Sequence, residues 1–130
     1  MRILGIDYGL KKIGLAFGES EAQLAVPLEV ILNQGEETIS LLAKKVGAED
    51  IDRVVVGVPL ATGDHHNSDQ LDRTREFIEK LKAATSTPVV EEDEAYTTAE
   101  SIRIQREEGS DADEDALAAM LIIRGYFERL

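Results

Sequence analysis

Two short apolar runs, Ile3-Leu4-Gly5-Ile6 and Ile13-Gly14-Leu15-Ala16-Phe17, open the chain, with one carboxylate, Asp7, set where the first run stops. Runs of this length read as two paired strands, with Ile3, Leu4 and Ile6 buried in one and Ile13, Leu15, Ala16 and Phe17 in the other. Asp7 is then at the edge of a sheet core, drawn out of bulk water and close to turns at Gly5 and Gly9. A carboxylate in that position needs compensation. Asp7 either satisfies turn amides, as Asp before Tyr-Gly commonly does, or holds a cation, and this motif alone fits both.

The chain has 130 residues, which suits one domain spanning 1–130 with a single core. It has no cysteine, and this excludes disulfides, a thiol nucleophile and a thiolate metal site. The N-terminus enters a strand directly, and the apolar run at 118–123 is far too short to span a bilayer. These features predict a cytoplasmic protein with no membrane contact. The 26 acids against 14 bases leave a net charge of −12. A polyanion meets repulsion from such a field, so any phosphate binding has to be local.

After the opening hairpin, Val26 to Leu32 reads as a third strand, and Pro27 suits it to a sheet edge. Ile39, Leu42, Ala43 and Val46 fall at helical spacing, with Glu36 and Glu37 in the first turn, Lys44 and Lys45 in the last and Gly47 as the stop. The continuous apolar run from Ile51 to Val58 predicts a central strand covered on both faces. Ser68 is the expected N-cap of a helix burying Leu71, Thr74, Phe77, Ile78 and Leu81. Pro88 to Val90 gives a short last strand that ends in Glu91-Glu92-Asp93-Glu94. Thr97 with Glu100 forms a capping box for a helix to about Glu107. A polar hinge at 109–114 precedes a final helix built on Ala116, Leu117, Met120, Ile123, Tyr126, Phe127 and Leu130. The order β-β-β-α-β-α-β-α-α predicts an α/β fold, an antiparallel meander continued by parallel strands into a mixed five-stranded sheet with helices on both faces.

In that arrangement Asp7 ends the first strand, Asp93 and Glu94 follow the last, and Asp115 falls in the first turn of the final helix, so all can meet at one end of the sheet. Each has a plainer reading: the helix dipole alone favours Asp115, and Glu94 can simply precede a cap. Together, several oxygen ligands without cysteine or a useful histidine pair suggest Mg²⁺ or Mn²⁺. Two such ions about 3.5–4 Å apart can activate water and stabilise a leaving oxygen in phosphodiester cleavage. Asp64, His65 and His66 fall in the loop after the central strand. Lys11, Lys12, Arg73 and Arg75 are the available phosphate contacts, or else a solvated face.

The residues GIDYGLKKIGLAFG at 5–18, VVGVPL at 55–60, RTREF at 73–77, DEAYTTAE at 93–100 and DALAA at 115–119 appear in an order that resembles the YqgF/RuvX family, nearly end to end. Members are described as Holliday junction resolvases or pre-16S rRNA nucleases with the ribonuclease H-like fold. The resemblance implies a metal-dependent nuclease, using Mg²⁺ or Mn²⁺, that processes the 5′ end of pre-16S ribosomal RNA in ribosome biogenesis and acts as a monomer or homodimer. Branched DNA, cut as by a Holliday junction resolvase, is the alternative substrate, and an RNA-binding module without cleavage the alternative class. An actin-like ATPase fragment is disfavoured because a second phosphate loop and lobe are missing. By the same resemblance Asp7, Glu94 (or Asp93) and Asp115 are the metal-binding acids, and Lys11, Lys12 and Arg73 face the nucleic acid. Leu10 and Ala95 stand where the family usually has threonine and arginine. The carboxylate centre therefore follows the family more closely than the substrate surface does.

Overall fold

The computed structural model describes residues 1–59, 67–94 and 113–130. The opening runs form β1 (Arg2–Asp7) and β2 (Lys12–Glu19), followed by β3 (Leu24–Leu32), α1 (Glu36–Ala48), β4 (Arg53–Val58), α2 (Asn67–Ala84), β5 (Val89–Asp93) and α3 (Glu114–Glu128). The strands make one sheet in the order β3-β2-β1-β4-β5, antiparallel across β1, β2 and β3 and parallel across β1, β4 and β5. The expected mixed five-stranded sheet is present. The helix expected at 97–107, most of the polar hinge, and Asp64, His65, His66 and Ala95 lie outside the described residues.

Helices cover both faces. Leu4, Ile6, Leu15, Val54 and Val56 pack with Ile39, Leu42 and Val46 of α1 and Phe77, Ile78 and Leu81 of α2. On the other face Ile3, Ala16 and Val55 meet Leu117, Ala119, Met120, Ile122, Ile123 and Phe127 of α3. Gly5 is not a turn residue. It sits within β1, opposite Ala16 and Val55, and an added Cβ would lie 2.9 Å from the Ala119 carbonyl oxygen. Its small size lets α3 lie against the sheet.

The expectation that β4 is the central strand is corrected, because β1 holds the middle and β4 stands between β1 and β5. Val54, Val55, Val56 and Val58 are nonetheless fully buried, so the apolar run reports coverage on both faces rather than position in the sheet. Pro27 does lie on the edge strand, beside an irregularity where Leu15 pairs with Glu29 and Ala16 with Pro27. An edge strand with a register irregularity is where a residue without an N–H is tolerated.

Gly47 does not stop α1, which continues through it to Ala48. The turn comes at Asp50 with φ 52°. The Ile51 N–H donates to the Val46 carbonyl at 3.0 Å and the Asp50 N–H to that of Gly47 at 3.3 Å, the two bonds of a Schellman ending, with Ile51 and Val46 sharing the core. Asp takes the left-handed position usually given to glycine. At α2, Asn67 is already helical, so the helix begins ahead of Ser68. Leu71, Thr74, Phe77, Ile78 and Leu81 turn inward as expected.

β5 runs on past Val90 through three acids to Asp93. Cations support the extension: Arg75 holds Glu91 through Nε at 2.9 Å, and Arg129 Nε donates at 2.8 Å to Glu92, which is buried. The chain end corrects one more expectation, since Leu130 lies beyond α3 and is exposed.

Candidate nucleolytic site

Asp7 is the last residue of β1 and faces Gly14 of β2 in the antiparallel register. A side chain at Gly14 would run into the Asp115 carbonyl. The absence of a Cβ therefore lets the first turn of α3 settle beside the end of β1. That turn is fixed by Asp113, whose side chain accepts from the Asp115 N–H at 3.0 Å as N-cap. Glu94 is placed from the other side. Its N–H donates to the Val58 carbonyl at 2.9 Å, one step past the β4–β5 ladder. The side chain then passes Gly57, where an added Cβ would lie 3.0 Å from Glu94 Oε2.

Asp7, Glu94 and Asp115 consequently line one hollow of about 260 Å³ at the end of the sheet, with Tyr8, Gly9, Lys12 and Gln70 around them. β4 intervenes between β1 and β5, yet the acids still meet, because Asp7 and Glu94 stand at or just after a strand end and Asp115 in the first turn of α3. Burial, reinforced by the Glu94 and Asp115 carboxylates, pushes the Asp7 carboxyl up to about 8. Glu94 also titrates above the usual carboxylate range. Burial is the main cause, offset in part by its hydrogen bond with Asp7 and reinforced by the charge of Asp93.

The cationic candidates are distributed unequally. Lys12, the first residue of β2, is exposed and lines the carboxylate hollow. Lys11 is exposed in the turn between β1 and β2 and is not among the lining residues, and neither is Asp93. Arg73 is one hollow away, with Tyr8, Leu10, Asp69 and Gln70, in a loose 3.7 Å ion pair with Asp69. Gln70 was not foreseen. It precedes the buried Thr74 by one helical turn and accepts that residue's hydroxyl at its carbonyl at 2.8 Å, but an exposed amide near a helix start carries no pattern that would single it out.

Known proteins share this chain's family and fold. The RuvX family, described as Holliday junction resolvase, matches residues 1–129. A protein of Syntrophus aciditrophicus named "Putative pre-16S rRNA nuclease" is 32% identical over all of this chain and 90% of its own length. A relative of the same name from Sulfurihydrogenibium is 34% identical over 99% of this chain and 91% of its own. Among solved structures, RuvC of Thermus thermophilus in complex with a Holliday junction substrate superposes with a TM-score of 0.64 at 13% identity, covering 99% of this chain and 95% of that one. The fowlpox virus Holliday junction resolvase gives 0.59 at 16% identity over the whole of both chains. The ribonuclease H-like architecture expected from the sequence is the fold shared with these resolvases.

Proposed function

The chain belongs to the RuvX family, and on that footing we propose that it is a divalent-metal-dependent nuclease in which Asp7, Glu94 and Asp115 form the hydrolytic centre and a precursor of 16S ribosomal RNA is the substrate. The observation that supports this reading is the meeting of those three carboxylates, from β1, the end of β5 and the start of α3, in one hollow with Lys12 at its rim. The names of the curated relatives favour the RNA substrate. The family's description favours a branched DNA junction as the second reading.

The donor set fits a hard cation. It is all carboxylate oxygen, the chemistry that Mg²⁺ and Mn²⁺ prefer, and its mutual repulsion is what a positive charge would relieve. Among the described residues no group of three or more His, Asp or Glu is arranged to hold an ion as it stands. Binding would require Asp7 to release the proton that its burial favours. Asp7 and Glu94 would supply ligands from the sheet and Asp115 from the helix, with Asp93 as the alternative to its neighbour Glu94. When bound, such ions supply a nucleophilic water and stabilise the leaving oxygen. Lys12 would hold a phosphate oxygen of the strand against the hollow, and Lys11 and Arg73 phosphates further along it. Among the described residues no helix is long and apolar enough to cross a membrane, in keeping with work on RNA in the cytoplasm.

The test is cleavage by the purified chain, with Mn²⁺ or Mg²⁺, of an RNA spanning the 5′ boundary of 16S rRNA and of a DNA four-way junction. RNA cleavage that Asp7→Asn reduces more than about a hundredfold is expected, since even groups that only orient metal ligands are commonly worth 10–100-fold. Preferential cutting of the junction would transfer the assignment to DNA. Cleavage of neither would reject the nuclease.

A further inference from the structure

Tyr8 lines three adjoining hollows: the carboxylate site, the recess with Leu10, Gln70 and Arg73, and a cleft with Asn33, Ile39, Phe77 and Lys80. It is thus the residue shared by the whole groove leading from the acids across α2 toward the start of α1. Its ring is half-buried and braced from behind by Phe77, with centroids 4.5 Å apart and planes tilted by 32°. This contact holds the ring in place without covering all of it. Arg73 borders both outer hollows and is half-exposed, and among the described residues it is engaged only by Asp69, at 3.7 Å. An exposed pair of this kind contributes little, so the guanidinium can turn to another anion. Lys80, at the far end, lies 3.4 Å from Glu36 and 3.7 Å from Glu76.

We propose that Tyr8 and Arg73 form a subsite for one unpaired nucleotide next to the scissile phosphate, with the base stacking on the Tyr8 ring and Arg73 holding the phosphate beyond it. The proposal rests on the nuclease reading for the position of the scissile phosphate. It adds a substrate class: a strand that is single or splayed open beside the cut, rather than continuous duplex. Two properties favour this occupant. A partly exposed aromatic ring beside a cation suits a nucleobase of any identity, because every base has a π-face. In a continuous duplex, bases stack on one another and have no free face to offer. The field of a chain with net charge −12 also disfavours binding by phosphate contacts alone, and stacking supplies attraction that this field does not weaken. On this view Tyr8 binds the substrate, while Asp7, its neighbour, would hold the ion.

The experiment measures binding separately from cleavage. Fluorescein-labelled 12-nucleotide RNA, as a single strand and as a blunt duplex of the same sequence, is titrated with the full chain without divalent metal, and anisotropy gives the affinity. The single strand is expected to bind more tightly. Tyr8→Ala and Tyr8→Leu should each weaken it by roughly fivefold to a hundredfold, leave the duplex within about twofold, and Tyr8→Phe should bind as wild type does. Tyr8→Leu retains apolar packing on Phe77, so a folding defect confined to Tyr8→Ala is recognised. Equal binding of single strand by wild type and Tyr8→Leu would overturn the proposal, as would a duplex preference or no measurable binding. These outcomes are read whether or not the protein cleaves, so failure of the subsite and failure of the nuclease assignment are distinct results.

Discussion

Gly14 lies under the carbonyl of Asp115 so closely that no side chain fits between them. Because Gly14 is also the partner of Asp7 across the β1–β2 ladder, a single missing methyl group sets the distance between an acid on the sheet and an acid on the helix. Gly14→Ala should force the first turn of α3 off the sheet. A loss of about 1–3 kcal/mol is expected, as for other overpacked interiors, together with a drop in nuclease activity that persists at temperatures where the variant is fully folded. Urea denaturation followed by assay of the folded variant checks both.

Asp7 gives the metal-free protein a stability that depends on pH in an unusual direction. Its carboxyl is raised from 3.8 to about 8 in the fold. Below about pH 4 the folded and unfolded chains both carry the proton, and this group contributes no dependence. Between about 4 and 8 the unfolded chain binds fewer protons than the folded one, so stability falls as pH rises, by up to about 1.4 kcal/mol per pH unit for one proton. Melting in EDTA from pH 5 to 8 should show the decline, and Asp7→Asn should flatten it and raise the melting temperature at pH 8. Adding Mn²⁺ should stabilise wild type at that pH and leave Asp7→Asn nearly unchanged. An identical pH profile in the two proteins would make Asp7 a turn-former.

Lys12 borders the acids whereas Lys11 does not, so these adjacent lysines should separate in function. Lys12→Ala is expected to weaken RNA binding and to lower the slope of log affinity against log salt by roughly 0.7, the value for one lost phosphate contact to a single strand. Lys11→Ala should have the smaller effect. Titrations at several salt concentrations check the difference, and equal slopes for the two variants would contradict the placement.

Arg129→Ala should strand Glu92, which is buried and accepts from the Arg129 guanidinium. Loss of about 1–3 kcal/mol is expected, the cost of a buried acceptor left without its donor, and Glu92→Gln in the same background should recover part of it. Thermal melts of the two single variants and the double variant give the coupling.

Much of this was legible in the sequence because period and punctuation carry it. The apolar faces of α2 and α3, the edge position of Pro27 and the placement of Asp7, Glu94 and Asp115 at element ends all follow from spacing that a one-dimensional chain displays. What failed had three-dimensional causes. Gly47 resembles a helix stop, but the left-handed residue is Asp50, chosen by the contact of Ile51 with the core. Glu91 and Glu92 resemble the end of a strand, but arginines 16 residues before one and 37 residues after the other neutralise them. The valines of β4 resemble the middle of a sheet, but burial on both faces is common to every interior strand. In the site, the acids were visible as costly residues, whereas Gln70 is an ordinary surface amide given its setting only by how α2 crosses the end of β1.

The order of the acids along the chain has a consequence during synthesis. Asp7 and Asp115 are separated by 108 positions (115 minus 7), and at about 5–20 residues per second the ribosome needs several seconds or more between them. Through that interval β1 and β2 can pair while the face that α3 will cover, including Gly5 and Gly14, is bare. The hollow lacks its third carboxylate until the helix docks. On a nascent chain the three acids therefore stay unassembled until the final helix has left the exit tunnel.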